Sequence, residues 1–298
     1  MAPLPRDAQS AVSVAEETRP AESAGSGVTL GQRVSATFVS LKNRDFLYLW
    51  LGTLFMMGGM QMQMVARGYL TYDITDSPFL LGVVNAGFAL PMLGLALFGG
   101  AIADRMERKR VIQLGQGAAG VIALFVMVSI TTGSITWVHL LVASMFQGAL
   151  FSFLMPARQA IIPGMVGREN LNNAIALSSA AMSITTLVAP AVAGVLYSVI
   201  GPDGIYGIVV LMNLAAVGVT GLIGAESRGP TKPSVPLLRD IADGLVYIRH
   251  SRLVLVLLLM GLATAMLAMP FRFLMPVFVV DVYGKGPEAL GLLVSVMG

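Results

Sequence analysis

Long apolar runs separated by short polar stretches make up most of the chain. The runs cover 46–65, 79–103, 111–131, 137–154, 174–200 and 206–224. A polar stretch from Glu226 to Arg252 follows, and a seventh run covers 253–273. Each is close to the ~20 residues that a helix needs to cross a bilayer. The pattern therefore predicts an all-α polytopic membrane protein. An eighth run opens near Ala289 and meets Gly298 after about ten residues, too few for the ~20 of a span. Backbone groups in lipid must be paired, so a span cannot stop halfway. The expectation is a fragment, or an irregular end.

The polar stretches divide the chain. Residues 1–30 are rich in Ala, Ser, Pro and Glu and hold no apolar run. They read as a disordered tail and not as a signal peptide. From Leu30 to Asp45 a mild amphipathic pattern with Arg33, Lys42 and Arg44 predicts a short helix on the membrane surface. Gly229, Pro230, Pro233 and Pro236 make a breaker-rich linker. Leu237, Leu238, Ile241, Leu245, Val246 and Ile248 then recur at helical spacing, with Arg239, Asp240, Asp243 and Arg249 between them. That predicts an interfacial helix. The expected organisation is a tail over 1–30, a six-helix bundle over 31–225, a linker over 226–252 and the start of a second bundle over 253–298.

Composition narrows the choice. Hydrophobic residues make up 56% and charged residues 12%, and the mean hydropathy is +0.79. A soluble domain has about 45–50% apolar and about 25% charged residues, so a soluble enzyme is a poor fit. The net charge of +3 is not a nucleic-acid footprint, because the basic residues sort by side. With the N-terminus inside, fourteen Lys and Arg flank the spans on the inner side, Arg44, Arg105, Arg108, Arg158 and Arg168 among them. Only Arg67 and Lys285 lie outside. The positive-inside rule then places the N-terminus in the cytoplasm of a cell-membrane protein. There is no cysteine, and the two histidines, His139 and His250, sit at span ends or in loops. No metal, cofactor or intramembrane catalytic site is expected.

The loop between the second and third runs reads Gly100-Ala-Ile-Ala-Asp104-Arg105-Met-Glu107-Arg108-Lys109-Arg110. A carboxylate there can cap a neighbouring helix, and the arginines can bond helix-end carbonyls. Such a polar latch can close in one conformation and open in another. The competing explanation is plain topogenic charge. The pattern resembles the loop signature of the major facilitator superfamily, Gly-x-x-x-Asp-Arg-x-Gly-Arg-Arg-Arg, with Glu107 in place of its second Gly. Pro156-Ala-Arg158-Gln159-Ala-Ile-Ile-Pro163 and Arg168-Glu169-Asn170-Leu171 are similar to the enterobactin-exporter-like branch of drug and siderophore exporters. So are Ser77–Gly82 and Pro276–Asp281.

The resemblance covers about residues 40–298. It implies a major-facilitator-type helical bundle of twelve helices that alternates between inward-open and outward-open states. On that count about four and a half helices lie outside this sequence, and residues 1–298 alone are expected to move no substrate. Two further motifs of the superfamily are partly kept. Arg-x-x-Gln-Gly stands as Ser144-Met-Phe-Gln147-Gly148, without the arginine that relatives tie to proton transfer. Gly-Pro-x-x-Gly-Gly stands as Ala189-Pro190-Ala-Val-Ala193-Gly194. There Pro190 can bend the helix and the small residues allow close packing.

Polar residues within spans are functional candidates by default. Gln61 and Gln63, with Arg67 one turn beyond Gln63, and Asn85 at similar depth, either line a cavity or make helix–helix hydrogen bonds. Met56, Met57, Met60, Met62 and Met64 crowd the same helix, either as packing or as a soft ligand surface. No Asp or Glu lies inside the first six runs. The reading is a secondary transporter in the lipid bilayer, an exporter of small amphipathic molecules, with proton or sodium as coupling ion. The other reading is a truncated, non-transporting relic or scaffold.

Overall fold

The computed structural model describes residues 38–105, 107–224 and 250–297, with the side chains of 97–105, 258, 262, 265–270 and 272 left out. The predicted tail and the predicted interfacial helix at 237–249 lie outside the described residues. Of the surface helix expected before Asp45, a short 3-10 turn at Val39–Lys42 is described.

Helices account for nearly everything else, and the described residues include no strand. Helix α1 spans Arg44–Thr75. Asn43 starts it: its Oδ1 accepts from the Asp45 and Phe46 amides at 2.9 and 3.3 Å, the side-chain cap that satisfies orphan N–H groups. Asp76 ends it in the left-handed region, at φ 48°. Helix α2 spans Pro78–Arg105, α3 Arg108–Thr131 and α4 Trp137–Val166. The run Leu171–Gly221 is two helices, α5 before and α6 after a break at Gly201. There φ 73° and ψ 177° suit glycine, and Pro202 follows. Helix α7 spans Arg252–Phe273. A short turn at Met275–Val277 and a π-helical turn at Phe278–Val282 lead to α8, Pro287–Met297.

Among the described residues, Pro78–Ala96, α3, α4 and the α5–α6 run are long and apolar enough to cross a membrane. Their exteriors carry Phe79, Leu93, Val121, Phe146, Val199 and Leu211, all more than 60% exposed. A belt of that kind suits lipid, which the chain meets as a multi-pass membrane protein. Helix α1 is more polar and more enclosed. It packs along the α5–α6 run, while α2 packs on α4 and α3 on α4 and the α5–α6 run.

Several boundaries differ from the sequence expectation. Helix α1 continues ten residues past 65, so Arg67 lies within it and not in an outer loop. Helix α4 runs through Pro156 and Pro163 to Val166. Arg158, counted above as a loop charge, is therefore inside a helix and only 4% exposed. Membrane helices tolerate proline where neighbours re-satisfy the freed carbonyls.

Two apolar cores result. One joins Met62, Val65, Leu70, Val84, Ala193 and Tyr206 to Met275, Val279, Leu290 and Val294. The other, around Phe46, Leu49, Ile112, Leu154, Ile161 and Leu177, takes no residue from beyond Ile223. The second core lies at the end that carries Glu107–Arg110, called here the basic end. The first lies toward the opposite end, where 132–136 and 283–286 turn.

Candidate functional site

At the basic end the loop 106–107 joins α2 to α3. Glu107 sits at the start of α3 with φ −62° and ψ 114°, angles open to any residue, so the glycine it replaces is not needed for the turn. Its carboxylate pairs with Arg110 Nε at 2.7 Å, an exposed bridge of small energetic weight. Arg108 Nη1 donates to the Ala160 carbonyl of α4 at 2.6 Å. Lys109 Nζ donates to the Gly221 carbonyl at 3.0 Å and to the Ile223 carbonyl, tying α3 to the end of α6. Asp45 Oδ1 accepts from the Gly224 amide at 2.8 Å. The basic loop is thus fastened to carbonyls of two other helices, and at the end of α6 the Lys109 cation complements the helix macrodipole. The backbone of α2 passes through Gly100, Asp104 and Arg105, whose side-chain contacts lie outside the described residues.

Deeper in the bundle, α1 and α4 share a buried polar chain. Arg67 Nη1 donates to Gln147 Oε1 at 3.0 Å, and Gln147 Nε2 donates to Gln63 Oε1 at 2.7 Å. Gln63 is 2% and Arg67 4% exposed. The Arg67 guanidinium stands 5.8 Å over the Phe88 ring of α2. The Tyr206 hydroxyl, fully buried, lies beside Gln63 and Arg67 without closing a good hydrogen bond to either. Gln63 Nε2 and Arg67 Nε also lack an acceptor. This corrects the placement of Arg67 as an outward-lying charge: it turns into the bundle. It also brings a guanidinium to Gln147 from α1, next to the motif whose own arginine is replaced by Ser144. Asn85 is buried beside Met64, Gly68, Pro276 and Leu290, apart from this chain. Gln61 is half-buried and does not join it. Of the methionines, Met56, Met57 and Met62 are buried in the cores.

The small residues set the helix approaches. A Cβ on Gly148 would run into the Phe88 carbonyl of α2, so α2 and α4 touch through their backbones. A Cβ on Gly194 would lie 2.5 Å from the Pro287 carbonyl oxygen and 2.9 Å from Gly291 Cα. A Cβ on Gly291 would meet the Pro190 carbonyl. Ser295 Oγ accepts from the Ala191 amide at 2.9 Å, beside the bend-prone Pro190. The face with Ala189, Ala193 and Gly194 would remain unpartnered if the second bundle were absent. In the structure α8 covers it, because its glycine matches that of α5. Tyr72 Oη, on the last turns of α1, donates to Asp281 Oδ2 at 2.5 Å.

A bundle of lipid-facing helices is the part of this architecture that the sequence resemblance calls for. Residues 35–298 match the family described as transmembrane secretion effector. The chain belongs to that family, a branch of the major facilitator superfamily. Macrolide efflux protein A of Streptococcus pyogenes is 27% identical over 239 residues, which are 78% of this chain and 57% of that protein. Enterobactin exporter EntS of Citrobacter koseri is 32% identical over 131 residues, 42% of this chain and 31% of the exporter. Against solved structures, a bacterial homolog of the human lysosomal transporter Spinster, inward-facing and unoccupied, aligns with a TM-score of 0.68. It shares 16% identity and covers 85% of this chain and 60% of its own, a likeness of fold. The chain spans little more than half the length of the curated relatives it matches.

The sequence did not single out Arg158. Its signal was a basic residue between two prolines in a helix that continues past both.

Proposed function

We propose that this protein is the helical body of a secondary active exporter that moves small amphipathic molecules by alternating access. In this reading the basic end faces the cytoplasm of the cell membrane. The observation that carries the reading is the asymmetry of the two ends. At the opposite end α1 and α5 are bound to the 275–297 segment through Tyr72–Asp281 and the Gly194–Gly291 seam. At the basic end α1, α4 and α5 stand apart around a cavity of about 450 Å³. A hollow of similar volume at the opposite end is lined by the 279–293 segment alone and does not part α1 from α5. Helices sealed backbone to backbone at one end and parted around a cavity at the other fit one half of an access cycle, in which a substrate site near mid-membrane is exposed to one side at a time. The efflux and exporter names of the relatives support the direction, and the charge bias of the loops supports the orientation. Gly100, Asp104, Arg105, Arg108, Lys109 and Arg110 act in this reading as the latch that biases the two states.

The test uses everted membrane vesicles carrying the product of the complete reading frame, energised with a proton or a sodium gradient. The parent protein accumulates an amphipathic dye, and Asp104→Asn lowers accumulation at least about tenfold at equal abundance, the scale of a 1–3 kcal/mol coupling. Accumulation at the parental rate in the variant reduces the loop to topogenic charge. No gradient-driven accumulation by the parent contradicts the transport reading. In the same vesicles a cysteine at position 107 reacts with an impermeant thiol reagent and one at 134 does not. The reverse pattern contradicts the orientation.

A further inference from the structure

The cavity at the basic end is of ligand size: about 450 Å³, within the ~300–1,000 Å³ of small-molecule sites. Trp50 of α1, Met155 of α4 and Met182 of α5 form apolar walls, while Arg158, Gln159 and Ser178 give it a polar side. Arg158 is the decisive group. It is 4% exposed, and its hydrogen-bond partners are weak ones for a cation. Nη2 donates to the Leu49 carbonyl at 3.0 Å, and Nη1 points at Met56 Sδ at 3.7 Å. Neither carries negative charge, and a thioether sulfur is a poor acceptor. No carboxylate pairs with Arg158 among the described residues. A guanidinium held out of water without a counter-charge is a large desolvation penalty. Arg158 and Arg67 are the buried charged residues of the described bundle, and both are cationic. Asp73, Asp76, Glu169, Asp203, Asp281 and Glu288 are all exposed. Asp45 and Glu107 are half-buried at the basic end, and none of the described acidic side chains is fully buried, so the two buried cations bias their surroundings toward an anion over a cation.

We propose that this cavity binds an amphipathic monoanion, with its carboxylate or equivalent head on Arg158 and its apolar body against Trp50, Met155 and Met182. Gln159 and Ser178 supply further donors to the head, and the methionines accept bodies of varied shape. This names the substrate class of the transport reading and rests on that reading only in calling the ligand cargo. Binding is measured without transport, so the two fail separately. Binding without transport leaves the anion site standing, and transport with no preference for anions removes the site alone.

The experiment uses the full chain in an uncharged maltoside detergent. The chain has two tryptophans, so Trp137→Phe leaves Trp50 in the cavity wall as the fluorescent reporter. The probes are 11-bromoundecanoate, 11-bromoundecanol and 11-bromoundecyltrimethylammonium, whose bromine quenches a nearby indole, at about pH 8, where the carboxylate is ionised. The carboxylate is expected to quench saturably, at least about tenfold more tightly than the alcohol or the cation, as befits a charge-assisted pair. Arg158→Gln brings the carboxylate to the level of the alcohol, and Arg158→Lys keeps most of the preference. Equal quenching by all three probes, or tighter binding of the cation, overturns the proposal. That ranking is read on the protein with Arg158 intact, so it decides even where a variant fails to fold. A brominated phosphatidylglycerol that quenches Trp50 and displaces bromoundecanoate assigns the site to a membrane lipid and overturns the cargo assignment.

Discussion

The two ends of the bundle share α1 and α5 and yet pack in opposite ways. Toward the opposite end α5 and α8 meet at Gly194 and Gly291, where no side chain keeps the backbones apart, and Ser295 bonds an amide of α5. The core there draws Met275, Val279, Leu290 and Val294 into contact with α1 and α5. Toward the basic end the facing positions of α1, α4 and α5 hold Trp50, Met155 with Arg158, and Met182, and a cavity remains. Lipid offers no hydrophobic drive between helices, so close approach depends on small residues and on hydrogen bonds. Small residues close one end, and large side chains with a buried cation hold the other apart. Between them runs the chain Gln63–Gln147–Arg67, linking α1 to α4.

The largest expected effect comes from destroying the seam. Gly194→Val places side-chain atoms where the Pro287 carbonyl and Gly291 Cα already stand. Backbone cannot give way as a flexible side chain can, and overpacking of this kind costs about 1–3 kcal/mol or more. Transport should fall to background, and the opposite end should stay open to an impermeant thiol reagent at cysteines placed on α8. Unchanged accessibility with normal transport would mean that the seam is incidental packing.

A smaller and more selective effect is expected at Arg67. Arg67→Met removes a buried cation that faces no acid, while orphaning Gln147 Oε1. Relief of desolvation offsets the lost bond, so stability should stay within about 2 kcal/mol of the parent. Transport should nonetheless drop at least about tenfold, the equivalent of ~1.4 kcal/mol in a barrier. A large loss of thermal stability with normal transport in the surviving protein would make Arg67 a packing residue.

The smallest effect is expected at Tyr72→Phe. One hydrogen bond to an exposed carboxylate is lost at the closed end, worth about 1 kcal/mol or less. The variant should fold normally and show a several-fold rise in labelling of the opposite end, with transport reduced and not abolished. No change in labelling would show that the seam alone holds that end.

Much of the fold was legible because lipid imposes long apolar runs, and each described run became a helix. The ends were less legible. Helix α1 passes through Arg67 and α4 through Pro156 and Pro163, and hydropathy penalises those residues although the surrounding helices shelter Arg67 and the backbone continues through both prolines. The basic loop was legible from its motif, but its acceptors, the Ala160, Gly221 and Ile223 carbonyls, are backbone groups with no sequence signature. Gln63 and Arg67 could be placed on one face by their spacing. Their meeting with Gln147 depends on how α1 and α4 pack, which periodicity does not contain. Arg158 was hidden because a basic residue between prolines reads as loop. The partner of Gly194 was hidden because α8 is a run of only eleven residues.

The central claim is that the closed end must open during the cycle. The Ala191 backbone amide donates to Ser295 Oγ across the seam at 2.9 Å, which brings the two residues side by side, and the chain has no cysteine to interfere. Ala191→Cys with Ser295→Cys should form a disulfide on mild oxidation of vesicles carrying the complete reading frame. Gradient-driven transport should then fall to background and return on reduction, while either single cysteine leaves it unaffected by oxidant. Full transport by the cross-linked protein would contradict alternation of the two ends.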